Sequence, residues 1–206
     1  MDSNDLTYVE TYFAESVAVL QAAEGDTQLK RTIVDISDEI VRSLRDGGKV
    51  LFAGNGGSAA DAQHIAGEFV SRLNFDRSPL PGLALTTDTS VLTAIGNDYG
   101  YADVFSRQVG GLGRKGDVFI AISTSGNSPN ILKAVDVARA MGVISVGFTG
   151  AGGGKLSSAC DLCLRVPSKS TPLIQQVHIV SAHLICGLVE NAMFSEEAAR
   201  QNGVCA

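Results

Sequence analysis

A histidine and a glutamate, His64 and Glu68, lie four residues apart just after a glycine-rich segment, GNGGS (54–58). Residues four apart lie on one face of a helix, so an imidazole and a carboxylate would be neighbours there. Such a pair can transfer protons or bind a divalent metal ion. The same spacing also occurs in ordinary surface pairs, and the pair alone does not decide between these interpretations.

The glycine-rich segment is typical of a phosphate-binding turn. It follows an apolar run, KVLFAG (49–54), and precedes a helical pattern, so an anion would lie at a helix N-terminus. The letters G-x-G-x-x-A are close to a dinucleotide fingerprint, which also needs an acidic residue at the end of the next strand. That strand, GLALTT (82–87), ends in threonines. We therefore do not favour a nicotinamide or flavin site, and the lack of G-K-[ST] disfavours a nucleoside triphosphate.

A second candidate turn, STSGNSPN (123–130), directly follows another apolar run. Ser128 and Pro129 are typical of an N-cap and a first helical position. Hydroxyls and free N–H groups bind phosphate without a basic side chain, although a turn that only caps a helix has the same composition. The hydroxyl residues are Ser123, Thr124, Ser125 and Ser128.

Short apolar strands alternate with helical patterns along most of the chain. This alternation indicates a parallel sheet covered on both faces, with ligands at the carboxyl ends of the strands. The predicted strands are 49–54, 82–87, 117–123, 143–149 and 161–166. The predicted helices are 5–23, 27–46, 58–73, 129–141 and 173–194, with a loop and a helix within 89–113.

These elements predict an α/β fold, a three-layer αβα sandwich around a five-stranded parallel sheet. We expect a single domain over 1–206, with an N-terminal helical arm at 1–46 and an α/β core at 47–194. The connection at 149–158, TGAGGGKLSS, is predicted to be a glycine-rich loop.

The net charge of −6 disfavours nucleic acid and anionic membrane surfaces as partners. No segment is expected to approach the roughly 20 apolar residues that cross a bilayer, and the acidic start, MDSNDLTYVETY, does not resemble a signal peptide. We therefore expect a cytoplasmic protein. The four cysteines, which include a lone C-x-x-C, are expected to be structural thiols rather than zinc or redox groups. They are Cys160, Cys163, Cys186 and Cys205.

Four longer segments resemble the bacterial phosphoheptose isomerases, which are sugar isomerase (SIS) domain proteins. The segments are AGNGGSAADAQH, TSVLTAIGNDYGY, GDVFIAISTSGNSPNI and IQQVHIVSAHLI. The resemblance covers about residues 5–194. It implies a flavodoxin-like SIS domain that converts sedoheptulose 7-phosphate to D-glycero-D-manno-heptose 7-phosphate. It also implies a cytoplasmic homotetramer that supplies heptose for lipopolysaccharide or related glycans.

The resemblance also implies roles for individual residues. Glu68 and His183 would be the acid–base pair, and Zn²⁺, one ion per subunit, would bind to His64, Glu68, Gln175 and His183. The sugar phosphate would contact Asn55, Gly56, Gly57, Glu68, Asn97, Asp98, Ser123, Thr124, Ser125, Ser128 and Gln175. One departure is Gln176, where many relatives have glutamate.

Aldose–ketose isomerisation needs a base near the carbon acid and an acid near the oxygens. We assign the carbon proton to Glu68 and the oxygens and ring opening to His183, and the sequence leaves the reverse assignment open. Two non-catalytic alternatives remain: an SIS protein that binds a replication initiator, and a sensor of sugar phosphate. The initiator-binding relatives lack the acid–base pair. We expect His178 to be a packing or surface residue and Asp61 to favour the helix dipole.

Gln175 and His183 are eight residues apart, about 12 Å along a helix axis and about 80° around it. Either both lean toward one ion, or one of them comes from a neighbouring subunit. We expect the apolar stripe of the second helix, together with the C-terminal helix, to provide assembly surfaces. This stripe is Leu29, Ile33, Ile36, Ile40 and Leu44.

Overall fold

The computed structural model describes residues 3–195, which alternate between helices and strands. The strands are β1 (Val50–Gly54), β2 (Gly82–Ala84), β3 (Val118–Ile122), β4 (Ile144–Thr149) and β5 (Leu162–Arg165). The helices are α1 (Ser3–Gly25), α2 (Thr27–Arg45), α3 (Gly57–Val70), α4 (Thr89–Asp98), α5 (Ser106–Leu112), α6 (Pro129–Ala140), α7 (Leu156–Ala159) and α8 (Thr171–Met193).

The five strands form one sheet in the order β2-β1-β3-β4-β5, and all neighbouring pairs are parallel. Val50 pairs with Val118 and Gly54 with Ile122, so β1 and β3 end at the same edge of the sheet. The predicted α/β fold with its five-stranded parallel sheet is confirmed. The order is that of flavodoxin-like sheets, in which ligands bind beside the central strands.

Alternate strand residues point to two separate cores, as the period of two in a β-strand requires. Phe52 and Ile120 pack in the core that α2, α3 and α8 cover. Leu51 and Phe119 pack in the core that α5, α6 and α7 cover. The molecule therefore has the three layers that the sequence predicted.

The first two helices differ from the predicted arm. The apolar stripe of α2, predicted to be an assembly surface, is instead buried within the chain, with Ile36 and Ile40 at most 1% exposed. The assembly prediction was wrong for α2 because this helix covers the sheet beside α8. On α1, by contrast, the apolar stripe faces outward, and its residues are 38–67% exposed: Leu6, Val9, Phe13, Val17 and Leu20.

The C-terminal helix α8 is long and apolar enough, by length and composition, to cross a membrane. The expectation that no segment would approach this length was therefore wrong. Half of its most apolar window is buried inside the protein, as in the core helix of a soluble domain. The helix packs against α2 and α3, which explains its composition without a membrane.

Two connections contain more regular structure than predicted. Residues 89–113 form α4, a single 3₁₀ turn at Tyr101–Asp103, and α5. The glycine-rich connection after β4 contains the short helix α7. These short elements lack the repeated apolar spacing that reveals a longer helix.

The cysteines within residues 3–195 are free. Burial raises the pKa of both Cys160 and Cys186 to about 12, so neither has thiolate character near neutral pH. Burial also raises the pKa of Cys163. This agrees with the expected structural role, and Cys205 lies outside the described residues.

Candidate active site

The turn between β1 and α3 is the first candidate anion site. Gly56 has a φ of +57°, a left-handed conformation that favours glycine, and a Cβ at Gly54 would collide with the backbone of Ser58. Gly56 is the N-cap of α3 and has no side chain to bond the helix N–H groups. No side chain therefore caps the N-terminus of α3, which favours an anion there, although the N–H groups of Ser58 and Ala59 already donate within the turn.

The turn after β3 is held by its own hydroxyls. Ser123 Oγ lies 2.9 Å from Ser128 Oγ and 3.5 Å from Ser125 Oγ. Ser128 is the N-cap of α6, yet its side chain makes no cap hydrogen bond. The hydroxyls therefore bond to one another instead of serving the helix N–H groups. This arrangement favours an anion site over a simple cap.

A glycine-rich loop braces the serine turn. Gly126 has a φ of +66°, and a Cβ there would overlap the carbonyl of Gly153. A Cβ at Gly154 would lie 2.5 Å from the Ser125 carbonyl oxygen. The N–H of Leu156 donates to Gly126 O at 3.0 Å. The backbones of the two loops thus interlock, which fixes the shape of the turn.

An amide pair joins the two turns. Asn55 Nδ2 donates to Asn130 Oδ1 at 2.9 Å, and Asn130 Nδ2 donates to Asn55 Oδ1 at 2.8 Å. The Tyr101 hydroxyl also donates to Asn55 Oδ1, at 3.0 Å. A cavity of about 260 Å³ borders these residues and Ser128. Sequence reasoning gave no role to Asn130 or Tyr101, although both belong to segments that it singled out.

Three reactive side chains meet at the other end of α3. His64 Nε2 lies 2.9 Å from His183 Nε2 and 3.2 Å from Glu68 Oε1. Single ligand atoms from the three residues all lie within 4.8 Å of one another. The Glu68 side chain is 20% exposed and that of His64 is 48% exposed, so the cluster is open to solvent. It has the composition of a divalent metal site and of an acid–base pair.

A buried ion pair supports the Glu68 end of α3. Arg77 Nη2 donates to the backbone carbonyl of Glu68 at 2.7 Å, and Nη1 donates to that of Phe69 at 2.7 Å. Arg77 Nε lies 3.1 Å from Glu190 Oε1, and both side chains are at most 2% exposed. The guanidinium thus caps the last turn of α3, and Glu190 holds it in place. The sequence gave no signal for this pair, which joins residues 113 positions apart.

Gln175 packs against the N-terminal turn of α3. A Cβ at Gly57 would come within 2.5 Å of the Gln175 side-chain nitrogen. Gly57 and His64 are two turns apart on α3, about 10 Å along the helix axis. Gln175 therefore lies beside the first candidate anion turn, about two helical turns before His64.

Asn97 and Asp98 lie at the C-terminus of α4, and both are exposed. Asn97 Nδ2 donates to Asp98 Oδ1 at 2.8 Å. Among residues 3–195, no hydrogen bond joins either side chain to the two turns. Tyr101, three residues further on, makes that connection instead.

Asp61 and His178 have more specific environments than predicted. Asp61 is half-buried in α3; burial raises the pKa of its carboxyl, and nearby His64 partly opposes this change. Its Oδ2 has no hydrogen-bond partner in the described part of the chain. His178 is 1% exposed and contacts Thr149 O through Nε2 at 3.2 Å, so it is a packing residue and not a surface one.

Gln176 links α8 to α1. Its Nε2 lies 3.3 Å from the Tyr12 hydroxyl and donates to it. Gln176, which replaces the glutamate of many relatives, thus lies beneath α1 and next to Gln175 in sequence.

The parallel sheet, with candidate anion turns at the ends of two central strands, defines a flavodoxin-like α/β protein with a ligand site at the carboxyl edge of the sheet. The sequence model described as "SIS domain" matches residues 11–150. A curated phosphoheptose isomerase from Burkholderia pseudomallei (strain 1710b) is 57% identical over 197 residues, covering 96% of this chain and all of the relative. The chain therefore belongs to the phosphoheptose isomerase family of SIS domain proteins.

Solved structures agree with this assignment. The phosphoheptose isomerase from Neisseria gonorrhoeae is 43% identical, with a TM-score of 0.85 over 90% of this chain and 98% of that one. The phosphoheptose isomerase from Francisella tularensis is 36% identical, with a TM-score of 0.88 over 93% of this chain and all of that one.

Proposed function

We propose that the chain is a cytoplasmic enzyme that converts sedoheptulose 7-phosphate to D-glycero-D-manno-heptose 7-phosphate, for lipopolysaccharide or related glycans. The observation that carries the proposal is a cluster in which His183 of α8 meets His64 and Glu68, and these two lie on the helix that leaves a candidate anion-binding turn. The cluster supplies proton transfer, and the turn supplies a place for phosphate. The high identity to named phosphoheptose isomerases supports the choice of substrate.

In this proposal, the two turns bind the phosphate and orient the sugar. The N-terminus of α3 and the hydroxyls of Ser123, Ser125 and Ser128 donate to the phosphate oxygens. Asn97 and Asp98 contact the sugar from the end of α4. The short α3 places the bound sugar phosphate near the cluster. The acidic chain needs no basic field for this, because helix and hydroxyl dipoles bind the anion.

Glu68 and His183 perform the chemistry that we propose. Glu68 removes a proton from C1 of the ketose and returns it to C2, while His183 moves a proton from O1 to O2. The reaction balances, because one proton moves from C1 to C2 and one proton moves from O1 to O2. Arg77 and Glu190 hold the end of α3 and keep Glu68 in position.

The same three residues fit a divalent metal ion, and we propose that this ion is Zn²⁺. Two imidazole nitrogens and a carboxylate oxygen within 4.8 Å of one another are a suitable ligand set. Such an ion, when bound, stabilises negative charge on the substrate oxygens. His64, Glu68 and His183 would hold it, and we propose Gln175 from a neighbouring copy as the fourth ligand. Within one chain Gln175 lies beside Gly57.

The exposed apolar surfaces support a symmetric homotetramer. The outward stripe of α1 is one such surface. A groove of about 490 Å³ on α8 is another; it borders His183, and its Val180, Leu184 and Leu188 are 41–52% exposed. We propose that further copies of the chain cover both surfaces, which places the active sites at subunit interfaces.

A coupled assay with sedoheptulose 7-phosphate tests the proposal. We expect turnover, a divalent ion in protein purified without chelator, and loss of turnover after chelation that zinc restores. Absence of turnover with ion present would overturn the isomerase assignment in favour of a sugar-phosphate sensor. Full activity of metal-free protein in chelator would overturn the catalytic ion. An initiator-binding role is not favoured, because both members of the acid–base pair are present.

A further inference from the structure

The side chain of Asn55 has little bonding capacity left for a ligand. Its Oδ1 accepts two hydrogen bonds, from Asn130 Nδ2 and from the Tyr101 hydroxyl. One hydrogen of its Nδ2 is donated to Asn130 Oδ1. A carboxamide has two acceptor lone pairs and two donor hydrogens, so one N–H remains. Within residues 3–195, no other hydrogen bond uses it.

Asn130 is suited to fix this orientation. It lies in the first turn of α6, at the end of the serine turn, and is 3% exposed. A buried amide needs its partners, and the reciprocal bonds with Asn55 supply them. If the Asn55 carboxamide alone rotated by about 180°, its Oδ1 would face Asn130 Oδ1 and its Nδ2 would face Asn130 Nδ2. Both hydrogen bonds would then be lost.

Tyr101 fixes the same orientation from the solvent side. Its side chain is 64% exposed, yet its hydroxyl lies 3.0 Å from Asn55 Oδ1. It also follows α4, a helix none of whose residues is buried and whose end carries Asn97 and Asp98. The phenol therefore joins the sugar-facing segment to the first anion turn.

We propose that Tyr101 and Asn130 are positioning residues that lock the Asn55 carboxamide, so that it presents one N–H donor to an acceptor oxygen of the sugar phosphate. A locked donor favours a phosphate oxygen and cannot accept from a sugar hydroxyl. The inference rests on the proposed function, since that places the sugar phosphate between the two turns.

The test compares two single-hydroxyl deletions in the same segment. Tyr101→Phe removes the bond to Asn55 and keeps the ring. Tyr99→Phe is the matched control, because the Tyr99 ring contacts the Arg107 guanidinium at 3.8 Å and its hydroxyl bonds nothing in the described chain. We expect Tyr101→Phe to raise KM for sedoheptulose 7-phosphate about three- to ten-fold, the worth of one hydrogen bond. We expect kcat to change by less than about two-fold, and the control to match wild type.

Calorimetric titration with inorganic phosphate separates this inference from the isomerase proposal. Weaker phosphate binding in Tyr101→Phe, but not in Tyr99→Phe, would support the lock even if the wild type did not turn over the heptose. Unchanged phosphate affinity and unchanged KM in Tyr101→Phe would overturn it.

Asn55→Asp tests whether the unused N–H of Asn55 donates to the phosphate. The carboxylate keeps an acceptor for Tyr101 and Asn130, but an oxygen replaces the whole NH₂ group. Both the free N–H and the N–H that donates to Asn130 Oδ1 are therefore lost. We expect phosphate binding to fall at least about ten-fold, since a charge-assisted hydrogen bond becomes a repulsion. Near wild-type phosphate affinity in Asn55→Asp, with an unchanged melting temperature, would show that Asn55 does not donate to the anion.

Discussion

Glu68 and His183 lie on different helices, 115 residues apart in sequence, and both contact or closely approach the same imidazole, that of His64. Each is also partly exposed, so a substrate can reach it. At this scale the structure brings together three side chains that can transfer a proton.

Replacing either member of the pair should remove turnover without removing binding. We expect Glu68→Gln and His183→Gln each to lower kcat at least about 100-fold, because each loses a general acid or base. Phosphate affinity, measured by calorimetry, should stay within about two-fold, because we propose that the phosphate binds at the two turns and not at the cluster. His178→Gln, a buried histidine outside the cluster, is the control that should keep its turnover. Near-normal turnover in either cluster variant would exclude that residue from the mechanism.

His178 should make stability depend on pH. Burial lowers the pKa of its imidazole from 6.5 to about 4. Between these values the unfolded chain binds a proton that the folded chain does not, so stability falls as pH falls. The loss approaches about 3 kcal/mol, at 1.36 kcal/mol for each pKa unit.

Urea unfolding of the wild type and of His178→Gln, between pH 7 and pH 4, measures this effect. Glutamine keeps a donor for Thr149 O but does not titrate. We expect the wild type to lose more stability than the variant over this window. Parallel pH curves for the two proteins would contradict the prediction.

The serine turn depends on backbone packing between loops that follow different strands. Gly126 and Gly154 allow the serine turn and the loop after β4 to approach more closely than any Cβ permits. The serine hydroxyls therefore owe their positions to glycines about 30 residues further along the chain.

Two glycine substitutions separate this packing from ordinary backbone strain. Gly116 has a φ of +90° with open space around its Cβ position, whereas a Cβ at Gly126 would overlap Gly153. Gly116→Ala should lower stability by about 1–2 kcal/mol through its left-handed conformation alone. Gly126→Ala should cost more and should weaken phosphate binding at least about ten-fold. Equal stability losses, with phosphate affinity intact in both variants, would contradict the interlocked turn.

The sequence predicted the elements whose signals are local. Apolar spacing predicted the long helices and the strands, and glycines with hydroxyls at strand ends predicted both turns. Three contacts could not be predicted: Tyr101 with Asn55, Asn55 with Asn130, and Arg77 with Glu190. They join residues 46, 75 and 113 positions apart, and nothing in one segment specifies its distant partner. The burial of α2 was missed for the same reason, since an apolar stripe does not reveal what covers it.

The described chain leaves an apolar helix face and an apolar groove uncovered, and the groove borders His183. The inner face of α1 packs on the domain through Val19 and Ala23, while an adjacent face of the helix carries the exposed stripe. These are the two surfaces through which we propose that copies of the chain bind one another.

A charge on the outer face of α1 should disrupt the assembly. Phe13 is 67% exposed, so Phe13→Glu should leave the chain folded but weaken association by burying a charge at the interface. Thr11→Glu, on the other side of the same helix, is the control. Sedimentation velocity should show smaller species for Phe13→Glu alone. An unchanged tetramer in Phe13→Glu would exclude this face, and a wild type that is an active monomer would exclude the interface site.

Mixing inactive variants tests which chain supplies each residue. Glu68 and His183 approach each other within one chain, so Glu68→Gln mixed with His183→Gln should not regain activity beyond the parents. If Gln175 completes a neighbour's cluster, Glu68→Gln mixed with Gln175→Ala should regain part of the wild-type activity once subunits exchange. Exchange of labelled subunits is the control. Proven exchange without recovery in the second mixture would assign all of these residues to one chain.

The anion turns and the reactive cluster lie at opposite ends of α3, and no hydrogen bond within residues 3–195 joins them. Mutation can therefore change one without the other during descent. A duplicate of this gene that lost Glu68 would keep both turns, where we propose that the sugar phosphate binds, and both surfaces through which we propose that the copies bind one another. Natural selection could then keep it as a receptor whose assembly responds to metabolite supply. Under the proposed function, the residues that bind the phosphate differ from those that transfer protons. A descendant protein can therefore lose proton transfer and still bind the sugar phosphate.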